Sequence, residues 1–359
     1  MDDKKIRVAL AGAGAIGREQ HLPGWRLAPE AEVAAIADPS EIALAAAAKL
    51  CPQARLVTDY RRILDDRNID VVDICAPSAL HAQMAIDALD AGKHVLCEKP
   101  MATSRADAAA VLSAADRSGK KYMVGHHLRF DPVVLQLRRY FRQYPLGRVY
   151  HARSQWLRRR RLPGRPGFTD RSLSGGGVLY DLGVHMFDLA WWLSGCPTPL
   201  TVSGAHYNHL ARRKDLRGEW GAWDAATIDV EDFAAGFVRL AGGATMSLEV
   251  SWLGFQQTAE TSGVEWFGTQ SGAAWPAGVI TSEQDGVPLD VRVPHRAAEK
   301  PHRELVRQFA RAVIDDTPVP IPPHQCATAI AVLESLYVSA AQGAEQTVEA
   351  FGETSTADV

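Results

Sequence analysis

The chain has 359 residues, of which 47% are hydrophobic and 23% charged, and its formal net charge is -3 at neutral pH. This length is more than one hydrophobic core usually supports, so two domains are expected, and the composition is that of a globular protein. The small negative charge excludes whole-molecule attraction to nucleic acid or to an anionic membrane, so any site for an anion has to be local.

The first residues, MDDKKIRVAL, contain no apolar run long enough for a signal peptide, and no later stretch approaches membrane-spanning length. We therefore expect a cytoplasmic protein that does not contact a membrane. The cysteines occur singly, without a CxxC pair or a histidine spacing suited to zinc, which favours small buried side chains over a metal site. They are Cys51, Cys75, Cys97, Cys196 and Cys326.

The first 127 residues alternate short apolar runs with longer amphipathic ones. Strands are predicted at IRVALAG (6–12), EVAAIAD (32–38), VVDICAP (71–77), HVLCEKP (94–100) and KYMVGHH (121–127). Helical periodicity follows the first strand, and further helices are predicted at EIALAAAAKL, HAQMAIDALDAG and SRADAAAVLSAADRSG. Strands that alternate with helices of this length predict βαβ units, and thus a doubly wound α/β domain with a parallel sheet.

From about residue 128 the pattern changes. A helical stretch, PVVLQLRRYFRQY, is followed by a strand-like RVYHARSQWL, an Arg- and Gly-rich loop and a helix around GGVLYDLGVHMFDLAWWLSG. Short strands then predominate to about Val293, with two of them joined at Gly242-Gly243, and helices are expected near 299–315 and 324–342. The second half is therefore predicted to be an α+β domain with a mainly antiparallel sheet.

The motif Gly12-x-Gly14-x-x-Gly17 follows the first predicted strand and opens a predicted helix, which is the setting of a dinucleotide-binding loop. The first glycine permits a tight turn, the second lets the backbone approach a pyrophosphate, and the third allows the helix to pack closely on the strand. The phosphates would lie at the helix N-terminus, beside Ala15 and Ile16, where N–H groups and the helix dipole favour an anion. A glycine turn without a ligand is the alternative.

Asp38 ends the second predicted strand. A carboxylate at this place can accept hydrogen bonds from both hydroxyls of the adenosine ribose, and it would repel a 2'-phosphate. No arginine follows in ADPSE to receive such a phosphate, so NAD is favoured over NADP as the cofactor. The alternative is that Asp38 caps the following helix.

The segment CEKP (97–100) ends another predicted strand. Because the carboxyl ends of strands face the ligand crevice in a doubly wound sheet, Glu98 and Lys99 are expected to project towards the cofactor. The ammonium of Lys99 could bind a substrate hydroxyl and stabilise the alkoxide charge that develops as a hydride leaves. Taken alone, a lysine at this place is more often a surface lysine than a catalytic one.

Asp181 and His185 are four residues apart on a predicted helix and so are expected on one face of it. Histidine is well suited to accept and return a proton near neutral pH, and a nearby carboxylate can orient it. A surface pair or a buried histidine is the alternative. A metal is not expected, because no third ligand accompanies the pair.

Five motifs in this order resemble the Gfo/Idh/MocA family of oxidoreductases: AGAGAIG, IADPS, AGKHVLCEKPMAT, VGHHLRFDP and SGGGVLYDLGVHMFDLAWWLSG. The resemblance covers nearly the whole chain. It implies a Rossmann domain at 1–127 and, at 128–359, an α+β domain that binds substrate and whose open sheet forms homodimers or homotetramers. It further implies that Lys99 contacts the reacting hydroxyl of a sugar or cyclitol, that His185 accepts its proton, and that Asp181 assists.

The resemblance extends to residues around these groups. It implies cofactor contacts at Pro77, Ser78, His81 and Glu98. It also implies that Arg129, in the sequence RFDP, lies near the substrate. The chain departs from the family at positions 126 and 127, where two histidines replace an aromatic residue and an asparagine, and this makes His126 a candidate substrate contact.

The loop WLRRRRLPGRPG carries five arginines at positions 158–161 and 165. In relatives this loop runs beside the substrate, so Arg158, Arg161 and Arg165 could bind an acidic sugar through bidentate contacts. A solvated loop, or pairing with acidic groups of another subunit, is the alternative.

The leading hypothesis is an NAD-dependent dehydrogenase of a sugar, sugar acid or cyclitol. A second hypothesis is an NAD-dependent glycoside hydrolase that oxidises its substrate transiently and eliminates the aglycone. A third is a sensor that binds NAD without catalysis. The presence of Lys99, Asp181 and His185 argues against the sensor, because a protein that only binds NAD needs no proton acceptor.

Overall fold

The computed structural model describes residues 5–294 and 300–352, which form two compact units. The first unit contains residues 5–130 and 300–327, and the second contains 131–294 and 328–352. The division predicted from the sequence placed everything after residue 127 in one C-terminal domain. Residues 300–327 instead pack with the N-terminal unit, because they make apolar contacts with it.

The first unit is built on a six-stranded parallel sheet with the order β3-β2-β1-β4-β5-β6. Its strands are β1 (Ile6–Ala11), β2 (Ala31–Ala37), β3 (Arg55–Val57), β4 (Val71–Ile74), β5 (His94–Cys97) and β6 (Tyr122–Val124). The strand order reverses between β1 and β4, which confirms the doubly wound fold predicted from the alternation of strands and helices. The edge strand β3 was not predicted, because its residues are largely exposed and form no apolar run.

Helices connect these strands. They are α1 (Leu22–Arg26), α2 (Glu41–Ala48), α3 (Arg61–Leu64), α4 (His81–Asp90) and α5 (Arg105–Ser118). A helix begins within the glycine motif, at residue 15, and passes through a π-helical turn, Gly17–His21, before α1. The boundaries of α5 follow local chemistry, since the Ser104 hydroxyl accepts a hydrogen bond from the Asp107 N–H and Gly119 ends the helix with φ +64°.

The second unit is built on a nine-stranded sheet with the order β14-β13-β12-β11-β7-β10-β9-β8-β15. Its strands are β7 (Val149–Arg158), β8 (Pro199–Tyr207), β9 (Phe233–Leu240), β10 (Thr245–Ser251), β11 (Glu260–Gly268), β12 (Ser271–Trp275), β13 (Val279–Gln284), β14 (Val287–Arg292) and β15 (Gln346–Thr347). Among the described strands of this second sheet, β7 and β10 pair in parallel and the other pairs are antiparallel. The sheet is thus mainly antiparallel, as in the predicted α+β domain.

One face of this sheet is covered by helix. The helices here are α6 (Pro132–Gln143), α7 (Pro166–Thr169), α8 (Arg171–Ser174) and α9 (Val184–Leu193). The central helix α9 is buried along its whole length, and two side chains of the sheet hydrogen-bond its backbone: the Ser154 hydroxyl to the Met186 carbonyl and the Trp266 indole to the Ala190 carbonyl. These bonds fix α9, and with it His185, against the sheet.

The last two helices are α10 (Pro301–Ile314) and α11 (Pro323–Gln342), and the boundary between the two units falls within α11. Helix α10 belongs to the first unit because its apolar face packs on α1. Phe309 meets Trp25 edge to face, with ring centroids 6.4 Å apart, and a Cβ at Gly24 would lie 3.0 Å from the Val306 side chain. In the described parts of the chain, no helix is both long and apolar enough to cross a membrane.

Candidate active site

The three glycines of the loop after β1 have different surroundings. Gly12 has φ +107°, and a Cβ there would lie 2.4 Å from the Cys75 carbonyl oxygen, so no other residue fits. At Gly17 a Cβ would lie 2.5 Å from the Gly12 carbonyl oxygen, which reflects close packing of the helix on the loop. A Cβ at Gly14 would meet no atom within 4 Å. No atom of the described residues explains that glycine, whereas phosphates that approach the backbone would.

Asp38, at the end of β2, holds this loop. Its Oδ2 accepts a hydrogen bond from the Ala13 N–H at 2.7 Å, and its Oδ1 accepts one from the Ser40 N–H at 2.8 Å. The cap of α2 is Ser40 rather than Asp38, since the Ser40 hydroxyl accepts from the Ala43 N–H. Each carboxylate oxygen can accept more than one hydrogen bond, so Asp38 retains the capacity to bind ribose hydroxyls. Ala15 and Ile16 form the first turn of the following helix, where a pyrophosphate would bind.

The segments after β4 and β5 are joined by His81. Pro77 precedes a short 3-10 turn, Ser78–Leu80, and His81 opens α4. The two ring nitrogens of His81 lie 2.7 Å from the Pro100 carbonyl oxygen and 2.8 Å from the Ala76 carbonyl oxygen. Burial lowers the pKa of His81. Its place in the structure is therefore that of a link between two loops at the same edge of the sheet.

Lys99 is the second residue after β5, is half-buried, and its peptide bond to Pro100 is cis. Glu98 is buried, and its Oε2 accepts a hydrogen bond from the Lys99 backbone N–H at 3.1 Å. The carboxylate of Glu98 thus fixes the backbone from which the Lys99 ammonium extends. Since β1 and β5 are parallel strands of one sheet, the glycine loop and Lys99 both lie at its carboxyl edge.

A buried ionic cluster lies behind Glu98, and the sequence reasoning missed it. His21, in the π-helical turn, is fully buried and bonds a carboxylate with each ring nitrogen: Nδ1 lies 2.9 Å from Asp73 Oδ2, and Nε2 lies 2.9 Å from Glu98 Oε1. The Trp25 indole also donates to Asp73, at 2.6 Å. The available signal was Asp73 itself, an acidic residue within an otherwise apolar strand, since a buried carboxylate requires a partner.

The charges of this cluster support each other. Burial by itself would lower the pKa of His21, but the neighbouring charge of Asp73 outweighs it and raises that pKa well above its usual value. Burial would likewise raise the pKa of Glu98, but the hydrogen bond and charge of His21 lower it. His21 is therefore an imidazolium between two carboxylates, Asp73 and Glu98, at neutral pH.

One group in the described part of the chain has the composition of a metal site. The ligand atoms of His21, Asp73 and Cys75 lie within 4.8 Å of one another. The geometry argues against a metal there, because both ring nitrogens of His21 already bond carboxylates, those of Asp73 and Glu98, and an imidazole bound in this way has no nitrogen left for an ion.

His126 and Arg129, which were predicted to contact substrate, are 1% and 2% exposed. The Arg129 guanidinium donates to the Gln325 side-chain oxygen at 2.6 Å, which ties the segment His127–Phe130 to the start of α11. His127 stacks on His302 with ring centroids 3.7 Å apart, and burial lowers the pKa of His302 to about 4. The substrate roles of His126 and Arg129 stay predictions.

Asp181 and His185 lie in the second unit, in one continuous helical segment but not in one regular α-helix. Asp181 belongs to a π-helical turn, Leu179–Gly183, and α9 begins immediately after it. Such turns are frequent at functional sites, and this one widens the spacing that the sequence pattern assumed. Asp181 Oδ2 accepts a hydrogen bond from the Trp252 indole at 2.9 Å. The His185 ring is 5% exposed and lies 6.3 Å from the Trp156 ring.

The arginines of the long loop have partners within the second unit. Arg158 donates from Nε to Glu260 Oε1 at 3.0 Å, and Arg161 pairs with both Glu260 and Glu219. Burial would raise the pKa of Glu260, but hydrogen bonds from Trp156 and Arg158 lower it, so this carboxylate is ionised. The positive charges of Arg158 and Arg161 are thus matched by two carboxylates. Arg165 is exposed and precedes α7.

Comparison with known proteins adds to this geometry. A family model described as an oxidoreductase family with an NAD-binding Rossmann fold (GFO_IDH_MocA) matches residues 6–126, and a GFO/IDH/MocA C-terminal domain model matches residues 134–272. The chain is 32% identical to the D-glucoside 3-dehydrogenase of Escherichia coli K12 over 78% of this chain and 80% of that protein. It is 30% identical to the levoglucosan dehydrogenase of Pseudarthrobacter phenanthrenivorans over 69% of this chain and 68% of that protein.

Solved structures share the fold. Levoglucosan dehydrogenase in complex with NADH superposes with a TM-score of 0.82 at 22% identity, over 97% of this chain and all of that chain. An oxidoreductase domain protein from Kribbella flavida superposes with a TM-score of 0.84 at 23% identity, over 96% of this chain and all of that chain.

Proposed function

This chain belongs to the Gfo/Idh/MocA oxidoreductase family, and from that premise we propose that it oxidises one secondary alcohol of a neutral sugar or cyclitol. It is an NAD-dependent sugar or cyclitol dehydrogenase, in keeping with its dehydrogenase relatives. The observation that carries the proposal is the common edge of the parallel sheet, where the glycine loop follows β1 and the segment with Lys99 follows β5.

The proposed roles follow from the chemistry of each side chain. The glycine loop and Asp38 would hold NAD, which would supply the acceptor for the hydride of the carbinol carbon. The Lys99 ammonium donates a hydrogen bond to the substrate oxygen and stabilises the negative charge that grows on it. The imidazole of His185 removes the hydroxyl proton, and Asp181 binds a neighbouring hydroxyl or assists His185.

The surroundings of the arginines support a neutral substrate. Arg158 and Arg161 already pair with Glu260 and Glu219, and Arg160 donates from its guanidinium to the Arg217 carbonyl oxygen. Arginines engaged in this way would have to exchange a carboxylate for the ligand in order to bind an acidic sugar, and that exchange gains little charge stabilisation. An acidic substrate is thus the disfavoured alternative.

A screen for NAD reduction tests this proposal. Purified protein is supplied with NAD and, in turn, neutral sugars, glucosides, uronates, sulfonated sugars and inositols. The expected result is NADH formation with a neutral ring. Release of free sugar from a glycoside without NADH would instead support the hydrolase. NAD binding without turnover of any compound would favour the sensor. Turnover of acidic sugars alone would contradict the neutral substrate.

Cofactor choice is tested at Asp38. In Asp38→Asn the side chain still accepts from the Ala13 N–H, but it no longer carries the charge that repels a 2'-phosphate. We expect the preference for NAD over NADP to narrow by about tenfold or more, since a hydrogen bond to a charged group contributes about 1.5–3 kcal/mol. Asp38→Ala should narrow the preference similarly and also loosen the loop. Dissociation constants for both cofactors measure this, and an unchanged ratio would mean that the ribose is recognised elsewhere.

We also propose that the open face of the second sheet binds a further copy of this chain. On this face, Tyr207 lies opposite Phe233 and Ser203 lies opposite Phe237, while alternate residues such as Val202 point to the buried face. Tyr207 and Phe237 are exposed aromatic side chains, as at many homo-oligomer surfaces.

The oligomer is tested by sedimentation equilibrium at micromolar concentration. We expect the mass of a dimer or tetramer for the wild type and a smaller species for Phe237→Lys, because a charge in the middle of the face opposes burial. A monomeric wild type would contradict the assembly.

A further inference from the structure

The connection between β8 and β9, residues 208–232, is far longer than most loops and is held against the arginine run. Arg160 donates to the Arg217 carbonyl oxygen from Nε at 2.8 Å and from Nη2 at 2.6 Å. The Glu219 N–H donates to the Arg160 carbonyl oxygen at 2.7 Å, and Arg161 Nε donates to Glu219 Oε2 at 2.8 Å. These contacts flank a turn closed by a bridge between Gly218 and Gly221. Trp220 lies in this turn, between the two glycines.

Trp220 is 55% exposed, although indole is the largest side chain a protein could bury. The centroid of its ring lies 4.9 Å from the guanidinium carbon of Arg158, and the centroid of the Trp156 ring lies 5.0 Å from the same carbon. We name this arrangement of two indoles and one guanidinium the Trp156–Arg158–Trp220 stack. Such cation–π contacts hold an exposed ring in one orientation at little further entropic cost on binding.

The carboxylate of Glu260 holds two members of the stack in place. Glu260 Oε1 accepts hydrogen bonds from the Trp156 indole at 2.5 Å and from Arg158 Nε at 3.0 Å. The carboxylate therefore orients two members of the stack and neutralises its cation. A preorganised, electrically balanced aromatic surface suits an uncharged ligand with an apolar face.

The inner end of the stack lies at the proposed proton acceptor. The Trp156 ring centroid is 6.3 Å from that of His185, so the stack extends from the His185 side to the exposed Trp220. If a sugar ring reacts at His185, a substituent on that ring would extend along the stack. The C–H face of a second pyranose and the flat face of an aromatic aglycone are both surfaces that pack on an indole.

We infer that Trp220 is a specificity-determining residue that binds the second ring of a glycoside, so that the substrate is a disaccharide or an aryl glycoside rather than a free monosaccharide. This inference rests on the proposed function, because it places the reacting ring at His185. The ligand of the stack is a neutral ring, since Glu260 and Glu219 already match the charges of Arg158 and Arg161.

The test compares Trp220→Ala with wild type on methyl glucoside, para-nitrophenyl glucoside and cellobiose. For the two glucosides with a second ring, we expect KM to rise about five- to tenfold while kcat is unchanged, in line with the loss of one ring-stacking contact. For methyl glucoside we expect KM to change less than about twofold. Trp220→Phe should retain much of the effect, because it keeps an aromatic face.

Phe255→Ala is the matched control. Phe255 is 76% exposed in the same unit, but its ring lies beside Arg213, at 5.9 Å, rather than in the stack. We expect this variant to leave KM for all three glucosides unchanged. Equal rises in KM for methyl glucoside and cellobiose in Trp220→Ala would show that Trp220 only holds the loop, and would overturn the inference. No rise for any glucoside would overturn it as well.

A binding measurement separates this inference from the proposed function. If the wild type reduces no NAD with any glucoside, the proposed function fails, and calorimetric binding of cellobiose to NAD-loaded protein then decides the inference alone. Weaker binding of cellobiose to Trp220→Ala than to wild type or Phe255→Ala supports the subsite. Equal binding to all three, or no binding to the wild type, overturns it.

Discussion

Replacing Lys99 with alanine is expected to lower kcat by about 10²- to 10³-fold, the usual effect of removing one donor to a developing oxyanion. Lys99 extends from a backbone that Glu98 holds, at the edge of the sheet that carries the glycine loop. The affinity for NAD should change little, because the glycine loop and Asp38 remain intact. Steady-state kinetics and a titration with NAD measure the two effects separately.

Lys121→Ala serves as the matched control. The Lys121 ammonium pairs with Asp316 at 2.8 Å, in the same unit, and its loss should leave kcat within about twofold. A Lys99→Ala variant with wild-type turnover would remove Lys99 from the mechanism.

A double variant tests whether Lys99 and His185 serve one reacting alcohol. Groups that act together in one chemical step show strongly non-additive effects on kcat when they are removed together. We therefore expect Lys99→Ala/His185→Asn to be little slower than the slower single variant. Effects that multiply in full would indicate that the two side chains contribute independently rather than as one catalytic unit.

Replacing His21 with glutamine is expected to destabilise the protein by about 3–5 kcal/mol, the range for breaking a buried charge cluster by removal of one partner. The imidazolium of His21 lies between Asp73, which is fully buried, and Glu98, whose side chain is 7% exposed. Without it, two buried negative charges face each other. Urea denaturation gives the free energy of unfolding.

His94→Gln is the control for the loss of a histidine. His94 Nδ1 accepts a hydrogen bond from the Lys121 N–H, and a glutamine can replace that acceptor. Its loss should cost no more than about 1 kcal/mol. If His21→Gln lowered the free energy of unfolding by as little as His94→Gln, that result would contradict the assignment of His21 as an imidazolium.

The pH dependence has a definite sign. Because the pKa of His21 is raised in the folded state, its contribution is complete below the unfolded pKa, about 6.5, and is lost as the pH rises towards the folded value. The difference in unfolding free energy between wild type and His21→Gln should therefore shrink above about pH 7. Glu98 acts in the opposite sense, since its lowered pKa gives stability that is lost as the pH falls through the folded value.

The parallel sheet was accessible to sequence reasoning because its central strands are apolar runs. The predicted strands at 32–38 and 94–100 correspond to β2 and β5, and the hairpin at Gly242-Gly243 joins β9 to β10. Signals of this kind are local. The membership of α10 in the first unit was not accessible, since it depends on which apolar surface a distant helix covers.

The candidate site shows the same contrast between local signals, which the sequence displays, and contacts between distant residues, which it does not. The glycine motif and Asp38 could be recognised from their spacing and from the predicted strands that they follow, and the structure gives Gly12 and Gly17 a steric reason. His21 was overlooked because its partners, Asp73 and Glu98, are 52 and 77 residues away in the chain. Likewise, a run of arginines suggests an acidic ligand until Glu260, which comes from another strand, is found beside it.

The late position of α10 in the chain affects the order of synthesis. The nucleotide-binding unit leaves the ribosome early, but Phe309 and Val306, which cover Trp25 and Gly24, are made only after nearly the entire second unit. A nascent chain that ends near residue 127 would therefore expose this apolar surface to solvent and to chaperones. A fragment that ends near residue 127 would therefore aggregate when expressed alone. A soluble nucleotide-binding module would need α10 joined to this fragment through a designed linker.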